Sequence, residues 1–479
     1  LYGAMTFPIV QKVRGSVRRA QDAKNPTAAK EALATAAGAR AELAKIGARA
    51  IKPLLDALAD DRESQQKIAI EVLAYVENRS AGPALFNFAT GQADKGLRVR
   101  AMIACGALRD PALLVKLEGL LVPKEGTTGV LPTDSLAVAA AWGAARMGDK
   151  KAEPLLVKLL ASQSPDVRAL AAIGLGLTHD KKHAGALAAL AKAPEAGPVA
   201  RAAAVHALGE LGGSGVGDVP LLQSVADSND NVLRQAALLT MARLGQKEDA
   251  AKTSGPAEAI ANGILSGNEA LRGSAALAAT ALAQTSFKRA GDPLPVPDGP
   301  LSVADVLTGL GPDAFGPMER AQALVVMGPA LRKAAVAAAS TSPQRARVVA
   351  DALLADENGG SLAPFVDGTE TLDAKTKADV ERVVESIAAA VVPGFVALER
   401  HPDVEVRTRA VELLARRPEA TAQAAVIDAL SDPEESVQRA ALSALVLVKH
   451  APTIAAVAKV AREAESWSLR VRAAEALGR

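Results

Sequence analysis

The arrangement nearest to metal chemistry in this chain is Thr178-His-Asp-Lys-Lys-His183, where His179 and His183 stand four residues apart. On a helix that spacing places two imidazoles on one face. A metal wants at least a third protein ligand, and Asp180 is the only local candidate. The stretch reads as a solvated loop entering a helix, so no metal is assigned. His401 precedes a Pro-Asp turn and His450 precedes Ala-Pro, and both read as surface turn residues. Cys105 is the only cysteine, which excludes an intrachain disulfide framework. Gly212 to Gly217 (Gly-Gly-Ser-Gly-Val-Gly) has the look of a phosphate loop but lacks the following Lys and the strand-to-helix context. No Ser-His-Asp triad or carboxylate pair stands out. The expectation is therefore no catalytic residue, no cofactor and no metal, in a chain that is not an enzyme.

What must position these residues is a repeat. Val167-Arg168 to Gly176, Arg201 to Gly209 and Arg470 to Gly478 follow Val-Arg-x-x-Ala-Ala-x-Ala-Leu-Gly or a close variant, and Arg168, Arg201 and Arg234 are 33 residues apart. A period of this size holds two helices of three to four turns and two connections, stacked so that each unit buries its apolar face against its neighbours. Thirteen such anchor positions run from Gln66 and Arg98 to Gln438 and Arg470, and a looser helical pair is expected over Pro8 to Ala48. First helices start with proline in the first turn, as in Ile51-Lys-Pro53 and Ala152-Glu-Pro154. Asp166, Asp403 and Asp432 suit the turn into the second helix, and the glycine ending the motif reads as a helix stop. Pro393-Gly394 reads as a turn after an apolar helix.

At about 100° per residue, positions three, four and seven after the anchor share one face, and Ala, Val and Leu fill them. Cys105 and Trp142 fall seven after Arg98 and Ser135, in the column that elsewhere holds Leu175 and Leu208. Both are expected in the core. The anchor arginines are expected to tie repeat to repeat through Asp or carbonyl oxygens, as Asp166 with Arg168 and Asp403 with Arg407.

The pattern resembles HEAT repeats of the short bacterial, phycobilisome-lyase HEAT-like type, from about Ile51 to the C-terminus apart from inserts. The resemblance implies an all-α fold, an α-solenoid or superhelix of about thirteen two-helix repeats. Such repeats serve in scaffolds and adaptors, in a few pigment-attaching lyases and in some base-excision glycosylases. Three inserts break the rhythm: Val122 to Asp134, Thr285 to Pro317 with its prolines at 293, 295, 297 and 300, and Asp356 to Leu372. The expected division is 1–284 as an N-terminal solenoid, 285–317 as a Pro/Gly-rich insert and 318–479 as a C-terminal solenoid. The insert is expected to be irregular except near Ser302 to Gly309, and to project or lie across the solenoid.

One column departs from the solvated face expected of it. Five after the anchor, about 140° round the wheel, the residues run Glu71, Ile103, Ala140, Ile173, His206, Leu239, Leu277 and Val325, then Glu412, Ser443 and Glu475. Leu170 and Leu177 fall on the same face. An apolar stripe facing solvent is an interaction signal, so Ile103, Leu170, Ile173, Leu177, His206, Leu239 and Leu277 are the expected partner-binding residues on a concave wall; burial by an insert of the same chain is the competing expectation. Lys plus Arg is 55 and Asp plus Glu 53, a net charge of +2, which advertises neither nucleic acid nor an anionic membrane. No charge-free apolar run of about 18 residues occurs, so no transmembrane segment is expected. The best functional expectation is a non-enzymatic scaffold or adaptor holding a protein partner, a subunit of a larger assembly. The alternatives are a pigment- or cofactor-lyase-like enzyme and a nucleic-acid-binding solenoid. The chain begins at Leu1 and ends as a repeat helix stops, which reads as trimmed or processed. A soluble cytoplasmic protein is the default, with export left open.

Overall fold

The structure, a computed structural model, describes all residues except 1, 22–25, 123–133, 148–149, 212–218, 246–253, 285–291, 293, 298, 311–315, 342, 355–361, 446–450 and 479. Gly212 to Gly217, most of Val122 to Asp134, and His450 therefore lie outside the described residues. The described residues form helices and no strand. The fold class is all-α, an α-solenoid of HEAT-like repeats, and the chain divides into two compact units.

The first unit comprises Leu1–Asp249 and Thr285–Gly316. It differs from the expected boundaries in taking up the insert. Its second helices are Glu63–Val76, Lys95–Ala107, Asp134–Arg146, Pro165–Leu177, Pro198–Leu211 and Asn231–Gly245, and each packs on the next. The first helices between them, such as Glu153–Leu159 and Ala184–Lys192, pack on the second helix that follows. At the N-terminus the helices Tyr2–Gln21 and Pro26–Leu58 pair, and the latter runs through Pro53 without a break. The expected start at Ile51 is thus the last two turns of a longer helix.

Local chemistry explains the helix entries. Asp94 accepts from the backbone N–H of Gly96 and Leu97, and Ser164 from that of Val167. These satisfy donors that a helix start leaves open. Ser164, not Asp166, is the cap of its helix. The anchors do a second job. Arg168, Arg234, Arg272, Arg407 and Arg470 each donate to the carbonyl six residues earlier, and Gln66 and Gln438 do the same with their amides. Arg168 also reaches Ala196 O at 2.7 Å, and Arg407 holds Asp432 with Nε at 2.8 Å and Nη2 at 2.9 Å. The column pins the turn or helix end that precedes a second helix, and at Arg168 and Arg407 it also ties that turn to the following repeat. Its partners are carbonyls, Asp432 and, for Arg347, Glu405, rather than Asp166 and Asp403.

The glycine column is not a set of helix stops. Gly106, Gly143, Gly176 and Gly209 lie inside their helices, and none has a positive φ. A Cβ built on Gly106 would stand 2.4 Å from Gly143 Cα, and one on Gly176 2.8 Å from Ala207 Cα. The missing side chains let adjacent second helices touch backbone to backbone. The left-handed positions that follow some of these helices are held by Glu77, Arg109 and His179.

The second unit comprises Ala250–Gln284 and Pro317–Arg479. The pair Ser254–Ile264 and Glu269–Ala283 belongs here because it packs on Pro317–Thr341. Around the expected anchors Arg320 to Lys377 the two-helix rhythm gives way to two helices of 25 residues, Pro317–Thr341 and Ala374–Leu398. Pro393 sits inside the second of them, so the expected turn there is absent. Gly394 explains the tolerance: its built Cβ would come 2.9 Å from Ala339 Cβ, a close helix contact. Shorter pairs resume from Val404–Leu414 to Trp467–Gly478. Among the described residues one helix is long and apolar enough to cross a membrane by length and composition, Pro317–Ser340, and half of its most apolar window is buried within the protein.

Candidate functional site

The chemistry-bearing residues separate quickly. Cys105 and Trp142 are buried, at 1% and 0% exposure, and burial pushes the Cys105 thiol well above its ordinary range. A thiol kept protonated is a poor nucleophile. His179 and His183 do not share a helix face. His179 adopts a left-handed backbone, and its Nδ1 lies 3.1 Å from Glu210 O. His183 instead meets Glu153 and Asp180, whose ligand atoms lie within 4.8 Å of one another. The Lys182 ammonium bridges Glu153 and Asp180, and Asp180 also accepts from the backbone N–H of Lys182. Both carboxylates stand at helix starts, Glu153 in a first turn and Asp180 as a cap, where the helix dipole favours an anion over a cation. Lys182 thus neutralises the two carboxylates, while Glu153 Oε1 and His183 Nε2 are buried without a hydrogen-bond partner among the described residues.

Six of the seven expected stripe residues fall in the first unit, but they are not exposed. Leu170 is 0%, Ile173 2%, His206 4% and Ile103 5% exposed. Leu177 and Leu239 are half-buried, and Leu277 belongs to the second unit, also half-buried. The reading of these side chains as solvent-facing is corrected, for two physical reasons. Position five lies only about 60° round the wheel from the glycine column, and the glycines bring the next helix close enough to shield it. Glu71, expected at a solvated end of the stripe, is likewise buried and paired with Arg14 at 3.3 Å and Arg100 at 3.4 Å.

The second reason is the insert. Its described residues from Asp292 onward lie along the second-helix face as a strap. Asp292 to Pro300 is irregular where described, and Ser302 caps the helix Val303–Gly309. Proline removes backbone donors and forbids continuous helix in the first part. Leu294 and Leu310 are fully buried and Val303 is 4% exposed.

The polar anchorage of the strap comes almost entirely from the second helices and the residues that follow them. Arg146 is 8% exposed and uses each guanidinium nitrogen: Nε to Leu294 O at 2.7 Å, Nη1 to Ala107 O at 2.8 Å and Nη2 to Asp292 Oδ2 at 2.6 Å. Its cation also lies 5.3 Å from the centre of the Trp142 ring. Arg109 takes the same Asp292 oxygen at 2.6 Å. At the far end, Leu310 O lies 3.0 Å from both His206 Nε2 and Arg243 Nη2. A carbonyl only accepts, so His206 carries its proton on Nε2 there. Arg243 also pairs with Glu210. Burial lowers the affinity of Arg146 for its proton, and lowers that of Arg243 to about 9. Beside Asp292 opens a cavity of about 430 Å³ lined by Arg40, Glu77, Arg79, Leu108 and Arg109.

Sequence reasoning missed Arg146 and Arg243 as site residues. A signal existed for one of them. Leu177, Glu210 and Arg243 are each nine after an anchor, so an acid and a base succeed each other in one column of the stripe face. Nothing local in the sequence pairs Arg146 with Asp292.

Comparison with known proteins agrees on the repeats. The family described as HEAT repeats matches residues 131–209 and 392–478. No curated protein matches the chain. Among solved structures, human deoxyhypusine hydroxylase in complex with glycerol is 19% identical, TM-score 0.23, over 50% of this chain and 97% of that one. An engineered protein is 18% identical, TM-score 0.27, over 98% and 99%. Kap121p bound to Ste12p is 12% identical, TM-score 0.33, over 93% and 68%. None of these likenesses bears on function.

Proposed function

From a chain that carries HEAT repeats over residues 131–209 and 392–478, we propose a non-enzymatic scaffold or adaptor, a subunit of a larger assembly, that holds a protein partner on the second-helix face of its first unit. The type of repeat is the short bacterial one of phycobilisome-lyase-like proteins, without the lyase chemistry. The observation that carries the reading is the strap. This face holds a segment of the chain through side-chain donors aimed at main-chain carbonyls, Leu294 O in the irregular stretch and Leu310 O at the C-terminal end of the helix Val303–Gly309, with apolar seats for Leu294, Val303 and Leu310. Recognition of backbone by side chains, with alternate apolar seats, is how extended protein segments are bound.

The buried charges support the same reading. Glu71, Arg146 and Arg243 are each engaged in an ion pair. A general acid or base needs a proton to give or take at a substrate, and these groups face their own chain. Nucleic-acid binding wants cations directed at phosphate, whereas Arg146 and Arg243 are spent on the strap.

The test is site-specific photo-crosslinking on the full chain in its native source. A crosslinker at Leu177, half-buried at the end of the helix Pro165–Leu177, should capture a partner; one at Val115, 78% exposed on the helix Leu114–Leu121, should not. Capture from Val115 alone would overturn the reading.

A further inference from the structure

We propose that the strap is an internal stand-in for the partner, and that the partner presents a segment of the same chemistry: an acidic side chain for Arg109 and Arg146 with an aliphatic side chain two residues on in a non-helical stretch, followed by a short helix whose C-terminal carbonyl is open to His206 and Arg243. The inference rests on the scaffold reading above and deepens it.

The main chain supplies part of what the seat asks for. Arg146 Nε takes the Leu294 carbonyl in the irregular stretch, and Arg243 Nη2 and His206 Nε2 share the Leu310 carbonyl, one of those that a helix end leaves open. The Asp292 carboxylate and the buried Leu294, Val303 and Leu310 select side chains. Between these points the strap is loosely covered: Pro295, Val296 and Pro297 are half-buried, and Ala304, Asp305 and Thr308 are exposed. Few side chains must therefore be matched by a competitor.

Release of the strap exposes Leu294, Val303 and Leu310, and rehydration of buried charge offsets part of that cost. Arg146 and Arg243 lose hydration under it, as their lowered proton affinity reflects, and they regain water when it leaves. The strap reaches the first unit as a separate stretch of chain, with residues 250–284 and 317–479 belonging to the other unit. It competes for its seat at the high effective concentration of a tethered ligand. A free segment of equal chemistry thus binds the intact chain weakly and binds a strap-released chain well.

The experiment uses full-length protein and a fluorescein-labelled peptide of residues 290–310, read by anisotropy. The released variant carries Asp292→Ala and Leu294→Asp. It should keep its melting temperature within about 5 °C of the parent and bind the peptide about tenfold tighter or more. Adding Arg109→Ala, at a side chain nearly half exposed, should weaken that binding about fivefold or more. A peptide carrying Asp292→Ala should bind no better to the released variant than to the parent. Loss of cooperative unfolding in the released variant would make the strap a fixed part of the fold and overturn the proposal. So would a well-folded released variant that binds no tighter than the parent. If crosslinking from Leu177 still captures a partner in that case, the scaffold reading stands and the stand-in alone is wrong.

Discussion

Arg146 and Asp292, 146 positions apart in the chain, meet through Nη2 and Oδ2 at 2.6 Å, and Arg109 closes on the same oxygen. One carboxylate serves two guanidinium groups, one of them buried. Breaking a buried pair from one side ordinarily costs about 3–5 kcal/mol, because the remaining charge is stranded. Here the stranded groups escape if the strap lifts and water returns. Asp292→Ala should therefore cost only about 1–2 kcal/mol in urea unfolding. It should also open the strap to limited proteolysis. A loss in the full buried-pair range, with the strap still protected, would show that it stays seated.

The glycine contacts make a sharper stability prediction. Gly106→Ala places a methyl 2.4 Å from Gly143 Cα, so two helices must part. Overpacking of this kind costs about 1–3 kcal/mol. Gly478 ends the same motif, and nothing lies within 4 Å of its built Cβ. Gly478→Ala should leave the melting temperature unchanged. Equal effects at both positions would mean that the glycines act through backbone conformation after all.

The fold was legible because its signal repeats. A Leu or Val column at helical spacing, carried through many units, identifies a core even where single helices are ambiguous. The anchors were legible for the same reason, and Arg168 and Arg407 reach the following repeat in the way their spacing implies. The site was not legible, since exposure is a property of neighbours. Ile173 looks outward on its own helix and is covered by what packs beside it. Pro53 and Pro393 misled because proline marks a helix start or stop only when packing does not hold the helix together through it.

Glu399 gives the second unit a pH dependence. Burial, with repulsion from Asp428 added, raises its carboxyl to about 7 from an ordinary 4.5. The folded state thus favours the protonated form. That stabilisation is fully present below about pH 4.5, where the carboxyl is also protonated when unfolded, and is lost as pH rises through about 7. The side chain is only partly buried, so solvent screening limits the effect to about 1 kcal/mol. Glu399→Gln should flatten the stability profile between pH 5 and 7.5, monitored by urea unfolding, and should leave the variant the more stable at pH 8. A parent profile already flat over that window would show that the carboxyl is hydrated in solution.

Ile173→Asp separates an exposed stripe from a covered one. If the side chain faced water, the change would leave helicity and unfolding untouched and act on partner binding alone. At 2% exposure, the carboxylate has no water and no assigned cation. Burial of an unpaired charge drives either protonation or local opening, and the cost is several kcal/mol. The expected outcome is a fall in melting temperature on the order of 10 °C, before binding is considered. Leu239→Asp, on the same face but half-buried, should fall by less than half as much, because its carboxylate can reach solvent at the edge of the wall. Parity between the two variants would mean that the strap does not shield Ile173 in solution and that the wall stands open to a partner without any exchange.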